Sequence, residues 1–185
     1  MREFILLSLK GFTGPSFNVD DLIKGRMELV CQTILNSLFV SKDIRRDTIV
    51  RVSLNGAGDP PKVVSFVGSE IKSLDPTERE VALILRKALS MKDGGVIEGV
   101  YVAKESFESL IKNKKLYYLH PSGKDIRGAG VSESCFVLGD YIGLPRKTEK
   151  LLLRLGAEKI KLGPKMLFAA HCPIIVHNEL DRNSI

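Results

Sequence analysis

The chain has 185 residues, of which 44% are hydrophobic and 27% are charged, and its formal net charge is +6. These values predict one globular domain, residues 1–185, and exclude a low-complexity or collagen-like chain. The three widely separated cysteines form no CxxC pair, and no apolar run is long enough to span a membrane. We therefore expect no disulfide framework, no metal site and no membrane segment. The first residues lack the pattern of a signal peptide, so a cytoplasmic location is expected.

Lysine and arginine outnumber aspartate and glutamate by 28 to 22. This surplus fits a polyanionic partner, because cationic side chains that neutralise phosphates release counterions. Many globular proteins carry the same surplus without such a partner. Charge alone leaves both interpretations open.

The first half of the chain, residues 1 to about 95, alternates strand-like and helix-like segments. A helix is predicted at 25–40, where apolar residues recur at helical spacing. A second helix is predicted to begin at Asp75, with Asp75 as its cap and Glu78 three residues later. Runs of apolar and β-branched residues predict strands at 4–9, 48–54 and 63–67.

The second half, from about residue 96, repeats this alternation at shorter spacing after the Gly94-Gly95 pair. Helices that separate short strands predict a mainly parallel α/β sheet. Strands are predicted at 99–103, 116–120, 134–138 and 159–162, and helices at 106–112, 148–155 and from 173 onward. A polar loop is predicted at 121–130.

Three predicted strands of this half end in turns that contain glycine: 119–123, 138–145 and 162–164. Ligands of open parallel sheets bind outside the carboxyl ends of strands, and glycine lets the backbone approach a ligand closely. A single turn of this kind is usually only a turn. Three in one half of the chain indicate a binding site for one flat, mostly neutral ligand.

Other sites are less well supported by the sequence. It has no GxxxxGK[ST] loop and no GxGxxG that opens a helix after a strand, so a nucleoside triphosphatase and a dinucleotide-dependent dehydrogenase are disfavoured. His171 and His177 flank Cys172 without the spacing of a metal site. We expect His177 to be a packed or capping residue and Cys172 a small buried one.

The segment Asp43-Ile44-Arg45-Arg46-Asp47, between a predicted helix and strand, is the strongest polar cluster. Its arginines could bind phosphates or a base, and an adjacent carboxylate could orient them or accept a proton. A plain surface charge cluster is the alternative. Lys124-Asp125-Ile126-Arg127 repeats the Asp-Ile-Arg triplet and is a second candidate for an RNA-facing loop.

Six segments, in this order, resemble the archaeal tRNA (pseudouridine(54)-N1)-methyltransferase family of the SPOUT superfamily, over nearly the whole chain. The resemblance implies an α/β SPOUT methyltransferase fold with a C-terminal trefoil knot, a homodimer, S-adenosylmethionine as cofactor and the T-loop of tRNA as substrate. The segments are Asp43–Asp47, Leu116–Arg127, Phe136–Asp140, Ile142–Pro145, Leu162–Pro164 and Val176–Arg182.

The resemblance also implies the site residues. Asp43, Arg45, Arg46 and Asp47 would face the target base as catalytic residues, although which aspartate takes the N1 proton is left open. The family commonly has histidine at the position of Tyr141, an acidic residue at that of Ala170 and an apolar residue at that of Pro173. The cofactor would be bound by Leu119, Gly139, Leu162, Gly163, Pro164, Lys165, Met166, Leu167 and Cys172.

Two alternatives share this fold. One is an N1-methyltransferase that acts on a pseudouridine of ribosomal RNA, and the other is a non-catalytic RNA-binding factor. A generic α/β hydrolase-like enzyme is disfavoured because no nucleophile motif is present.

Overall fold

The computed structural model describes residues 1–132 and 134–183, so Glu133, Ser184 and Ile185 of the predicted domain lie outside the described residues. The strands are β1 Arg2–Ser8, β2 Phe39–Val40, β3 Asp43–Ile44, β4 Thr48–Leu54, β5 Lys62–Val67, β6 Val96–Ile97, β7 Val100–Ala103, β8 Leu116–Asp125, β9 Cys135–Gly139 and β10 Glu158–Lys161. The α-helices are α1 Met27–Leu38, α2 Glu78–Leu89, α3 Phe107–Leu110, α4 Arg146–Arg154 and α5 Cys172–Arg182. Short 3₁₀ helices occur at Lys24–Arg26, Ile126–Gly128 and Ala169–His171.

Eight strands form one sheet in the order β10-β8-β9-β1-β4-β5-β7-β6, and β2 pairs with β3 separately. The pairs from β10 to β4 are parallel, and the pairs from β4 to β6 are antiparallel. Strands from both halves of the chain therefore share one sheet. The predicted α/β class with a mainly parallel sheet is confirmed, and the trefoil knot stays a prediction.

Helices cover both faces of the sheet. Side chains of a strand alternate between the two faces, so one strand contributes to the core on each side. In β1, Phe4 and Leu6 pack in the larger core cluster, which includes apolar residues of α1, α2 and α5. Ile5 and Leu7 point the other way, into the smaller cluster with residues of α3 and α4. Long apolar runs such as β1 are typical of strands buried on both faces.

Several predicted element bounds were wrong. The helix predicted at 25–40 is the α-helix Met27–Leu38, and Phe39–Val40 form β2 instead. The cap of α2 is Thr77, not Asp75: the Glu80 amide donates to the Thr77 hydroxyl at 3.2 Å, and Thr77 has extended backbone angles. Strand β8 continues to Asp125 through half of the predicted polar loop. It does so because Lys124 and Asp125 of this loop pair with Ile160 and Lys161 of the edge strand β10. This long-range pairing has no local sequence signal.

Within residues 1–132 and 134–183, no helix has the length and apolar character needed to cross a membrane.

Candidate functional site

A cleft opens at the carboxyl edge of the parallel strands, where β8 parts from its neighbours. The β8–β9 ladder runs from Leu116–Cys135 to Tyr118–Val137. The β8–β10 ladder jumps from Tyr118–Lys159 to Lys124–Ile160, so residues 119–123 bulge out of it. The cleft beside this bulge has a volume of about 560 Å³. It is lined by Leu29, Tyr118, Leu119, His120, Pro121, Leu138, Gly139, Asp140, Tyr141, Ile142, Gly143, Leu144, Glu149, Met166, Leu167, Phe168, Ala169 and Cys172.

The turn after β9 forms one wall of the cleft, and Asp140 fixes its shape. The buried carboxylate of Asp140 accepts hydrogen bonds from the Leu9 amide at 2.8 Å and the Ile142 amide at 2.9 Å. A Cβ atom at Gly139 would lie 2.6 Å from the carbonyl carbon of Gly143. The turn is therefore a tight and rigid part of the site.

The opposite wall is the segment that leads into α5. Its backbone is tied to α1, because the Asn36 side-chain amide donates to the Ala170 carbonyl at 2.7 Å. The Cys172 thiol lies 3.4 Å from the Phe168 carbonyl oxygen. Burial raises the pKa of Cys172 to about 11, which keeps the sulfur a neutral thiol at neutral pH. As predicted, Cys172 is buried.

A smaller cavity of about 80 Å³ adjoins the cleft and lies next to the end of β10. A Cβ atom at Gly163 would meet no protein atom within 4 Å, so this glycine faces open space. Eight of the nine residues predicted to bind a cofactor line the two cavities, and Pro164 is the one that lines neither. Leu162, Gly163 and Lys165 line the smaller cavity and Gly139 the larger, while Leu119, Met166, Leu167 and Cys172 line both.

The cleft also contains polar side chains that are not among the nine predicted cofactor-binding residues. The Tyr118 hydroxyl donates to the Glu149 carboxylate at 2.5 Å, and burial together with this bond raises the pKa of Tyr118 above its usual range. His120 Nδ1 accepts from the Ser122 amide at 3.1 Å. Asp140 and Tyr141 lie within a glycine turn, so the sequence could have indicated them as part of the site. The sequence could not have indicated Glu149, because its position depends on how α4 packs against β8.

The cluster Asp43, Arg45, Arg46 and Asp47 lies at the other end of the parallel strands. It immediately precedes β4, whose first residue, Thr48, pairs with Arg2 at the start of β1. The cleft lies beyond the last residues of β9 and β10. Five to seven residues of strand separate these two edges, a distance on the order of 20 Å. Within one chain, the structure does not bring the cluster to the cleft.

Arg45 belongs to a partly buried ionic network with α5. Its guanidinium donates to both oxygens of Asp181, at 2.8 and 3.3 Å, and Arg2 donates to the same carboxylate at 2.5 Å. The bond from Arg45, followed by that from Arg2, lowers the pKa of Asp181 to about 2. Arg45 thus has a clear structural role in holding the last turns of α5.

His177 lies in the same network and is buried, as predicted. Its Nδ1 atom lies 3.1 Å from the Arg2 guanidinium and its Nε2 atom 2.8 Å from the Ser37 carbonyl. Since Arg2 can only donate, these partners assign the proton to Nε2. Burial, with Arg45 as the next cause, lowers the pKa of His177 to about 4. The ring is neutral at neutral pH.

Arg46, Asp43 and Asp47 are more accessible than Arg45. Arg46 donates to the carbonyls of Gly68 and Ile71 and pairs with Asp43 at 3.0 Å. The Ile44 amide and then Arg46 lower the pKa of Asp43 below its usual value. The Asp47 carboxylate lies 3.6 Å from Arg2 and is half exposed. A catalytic role for these residues stays a prediction.

No group of three or more His, Cys, Asp and Glu side chains in the described ranges is arranged to hold a metal ion.

Comparisons with known proteins agree with this architecture. Residues 1–185 match the family described as "Putative SAM-dependent RNA methyltransferase". The chain is 40% identical to the tRNA (pseudouridine(54)-N(1))-methyltransferase of Methanococcus aeolicus, with 98% of each chain covered. It is 36% identical to the enzyme of that name from Methanocaldococcus jannaschii, covering 100% of this chain and 98% of that one.

Among solved structures, the crystal structure of Archaeoglobus fulgidus Nep1 bound to S-adenosylhomocysteine is similar, with a TM-score of 0.66. The two sequences are 12% identical, and the match covers 98% of this chain and 97% of that one. This likeness establishes a common fold. The full-length family match and the relatives at 36–40% identity show that the chain belongs to the S-adenosylmethionine-dependent RNA methyltransferase family that includes the tRNA (pseudouridine(54)-N(1))-methyltransferases.

Proposed function

We propose that this protein methylates N1 of the pseudouridine at position 54 in the T-loop of tRNA, with S-adenosylmethionine as methyl donor. The observation that carries the proposal is the cleft at the bulge of β8 and the glycine turns after β9 and β10, in a chain whose full-length relatives bear this enzyme name. The named relatives favour tRNA over ribosomal RNA as the substrate. A tRNA-modifying role also fits the cytoplasmic location expected from the sequence.

The cleft suits S-adenosylmethionine in size and lining. Its volume of about 560 Å³ is within the usual range for small-molecule sites. Leu119, Leu138 and Leu144 offer apolar contacts for a flat ring, and the open space at Gly163 leaves room for a close backbone approach. When bound, the cofactor supplies a methyl group that its sulfonium makes electrophilic. The protein has to orient the acceptor nitrogen and to help remove one proton.

Pseudouridine is linked to ribose through carbon, so its N1 atom carries a proton and can accept a methyl group. Asp43, Arg45, Arg46 and Asp47 would hold the base and receive that proton. Because about 20 Å separates this cluster from the cleft of its own chain, we propose that it acts at the cleft of a second copy. This requires the homodimer that the family resemblance implies.

Exposed apolar side chains near the cleft support such a dimer. Met166 is 79% exposed, Phe168 71% and Ile174 49%, and all three lie on or next to the segment that enters α5. Apolar groups that cluster on a surface commonly mark an interface. An interface here would bring the partner's cluster beside the mouth of the cleft.

Of the two aspartates, Asp47 is the better candidate to take the proton. The bonds that lower the pKa of Asp43 make its carboxylate a weaker base. We therefore expect Asp47→Asn to lower kcat by roughly a hundredfold or more, and Asp43→Asn to have a smaller effect. The measurement is single-turnover methylation at saturating cofactor. Near-normal rates in both variants would contradict the role of the cluster in proton transfer.

The proposed function is tested with synthetic T-arm hairpins and nucleoside mass spectrometry. We expect N1-methylpseudouridine to form in a hairpin with pseudouridine at position 54, and no product in the same hairpin with uridine, whose N1 is bonded to ribose. A small-subunit ribosomal RNA hairpin that contains pseudouridine is the second control. Preferential methylation of the ribosomal hairpin, or calorimetry that detects no binding of S-adenosylmethionine, would contradict the proposal.

A further inference from the structure

Helix α4 presents an unusual concentration of positive charge. Four of its nine residues are basic: Arg146, Lys147, Lys150 and Arg154. At about 100° of rotation per residue, all four project within an arc of about 100°. The buried residues Thr148 and Leu152 lie on the opposite side of the helix. The basic residues therefore form one stripe on its solvent side.

The charges of this stripe are available to a partner. All four basic residues are exposed. Among residues 1–132 and 134–183, none of these four basic residues forms a salt bridge. Two other exposed cations, Arg79 and Lys104, do pair, with Asp20 and Asp59. The acidic residue of α4, Glu149, forms no salt bridge with these four residues, and its carboxylate accepts a hydrogen bond from Tyr118 in the cleft instead.

The edge strand β10 adds positive charge on the same face of the sheet. Lys159 Nζ lies 5.7 Å from the centre of the Tyr118 ring. Tyr118 packs in the core cluster that α4 covers. Lys161 is two residues further along the strand, so it points toward the same face. The basic surface thus extends from α4 across the edge of the sheet.

We infer that this surface, α4 with the adjoining edge of β10, binds the phosphate backbone of the RNA substrate. The inference rests on the proposed function and specifies where its substrate lies. The stripe begins at the cleft, because Leu144 and Glu149 line that cavity, and it continues for roughly 12 Å to Arg154. A strand of RNA is a polyanion, so its phosphates can pair with such a row of unpaired cations. These contacts do not depend on the base sequence. RNA bound there would place a neighbouring nucleotide at the mouth of the cleft.

The test compares two double variants of the full chain in binding to the pseudouridine T-arm hairpin. Lys147→Gln with Lys150→Gln removes two charges from the stripe. Arg86→Gln with Lys87→Gln removes two charges from α2, which packs on the other face of the sheet. Fluorescence anisotropy at several salt concentrations gives Kd and its salt dependence. Calorimetry with S-adenosylmethionine and thermal unfolding check that both variants are folded.

We expect the α4 variant to bind the hairpin about tenfold more weakly at low salt, with a slope of log K against log salt that is smaller by roughly 1.5. The α2 variant should stay within about twofold of the unmodified protein, and both should bind the cofactor normally. An α4 variant with unchanged Kd and slope, or an equal loss in the α2 variant, would overturn the inference. If the unmodified protein methylates the hairpin in that case, the proposed function stands. If the unmodified protein neither binds nor methylates it, both fail.

Discussion

Gly139 of the cleft and Gly163 of the smaller cavity differ in what surrounds them, and this difference separates a role in folding from a role in binding. A Cβ atom at Gly139 would lie 2.6 Å from Gly143 and 2.7 Å from the Leu144 nitrogen, all of it backbone. At Gly163, which lines the smaller cavity, it would meet no protein atom within 4 Å. We therefore expect the same substitution, glycine to alanine, to have different effects at the two positions.

We expect Gly139→Ala to lower the free energy of unfolding by about 1–3 kcal/mol, because the turn must shift. Gly163→Ala should leave stability within about 1 kcal/mol of the unmodified protein. It should nevertheless weaken S-adenosylmethionine binding by roughly tenfold. Urea unfolding and calorimetry measure the two effects. Normal cofactor affinity in folded Gly163→Ala would show that the cofactor does not approach this glycine.

His177 makes the stability of the fold depend on pH. Its pKa falls from 6.5 to about 4 on folding, mainly because the ring is buried. Below about pH 6.5 the unfolded chain binds a proton that the folded chain rejects, so stability decreases as the pH falls toward 4. The loss between these values is up to about 3 kcal/mol, as an order of magnitude.

His177→Gln should remove most of this dependence, since glutamine can donate to Ser37 and accept from Arg2 without titrating. The measurement is urea unfolding of both proteins at a series of pH values from about 7 to 4. The free energy of unfolding of the unmodified protein should fall more steeply with decreasing pH. The difference in slope should correspond to the uptake of close to one additional proton on unfolding. Parallel curves for the two proteins would rule out His177 as the titrating group.

At the scale of elements, α1 connects the core to the wall of the cleft. Asn36 of α1 donates to the Ala170 carbonyl in the short helix before α5. Gln32, one turn earlier, donates instead to Glu78 at the start of α2, away from the cleft. The same helix thus holds two neighbouring elements through similar side-chain amides.

Asn36→Ala should weaken cofactor binding by about fivefold to tenfold, because the wall that contains Phe168 and Ala169 loses an anchor. The loss of one such hydrogen bond should cost about 1 kcal/mol in stability. Gln32→Ala is the matched control and should keep normal cofactor affinity at a similar cost in stability. Equal cofactor affinity in the two variants would show that the wall does not depend on α1.

The elements also show which parts of the site were open to prediction. Glycine turns after Leu119, Leu138 and Leu162 predicted three strand ends at one edge of the sheet. Two of them are strand ends, and the first is a bulge within β8. The contribution of Glu149 depends on how α4 packs against the sheet, and that of His120 on a bulge set by pairing with β10. The predicted turn 119–123 contains His120, whereas Glu149 has no local signal.

The position of the Asp43–Asp47 cluster could have been derived from strand direction. These residues precede β4, so they belong to the amino edge of the parallel strands, whereas ligands bind at the carboxyl edge. The sequence identified both groups as chemically significant. The sequence alone did not place the cluster and the cofactor-binding residues relative to each other. Their separation within one chain becomes visible only when strand order and direction are known.

For the molecule as a whole, this separation makes the homodimer testable by mixing inactive chains. One variant, Asp43→Asn with Asp47→Asn, retains the cleft. The other, Gly163→Leu, retains the cluster and adds a bulky side chain at a residue that lines the smaller cavity. In a dimer whose clusters act on the partner's cleft, a mixed pair has one complete site: the cleft of the first variant with the cluster of the second.

We expect each variant alone to be nearly inactive and the purified mixed dimer to show about half the activity of the unmodified dimer. The chains carry different affinity tags and are expressed together, and methylation of the pseudouridine T-arm hairpin is measured. A cluster that acted within its own chain would leave the mixed dimer inactive, because each chain then lacks one part of its site. Sedimentation that finds only monomers at assay concentration would exclude the shared site directly. Recovered activity would account for how groups at opposite edges of one sheet serve a single reaction.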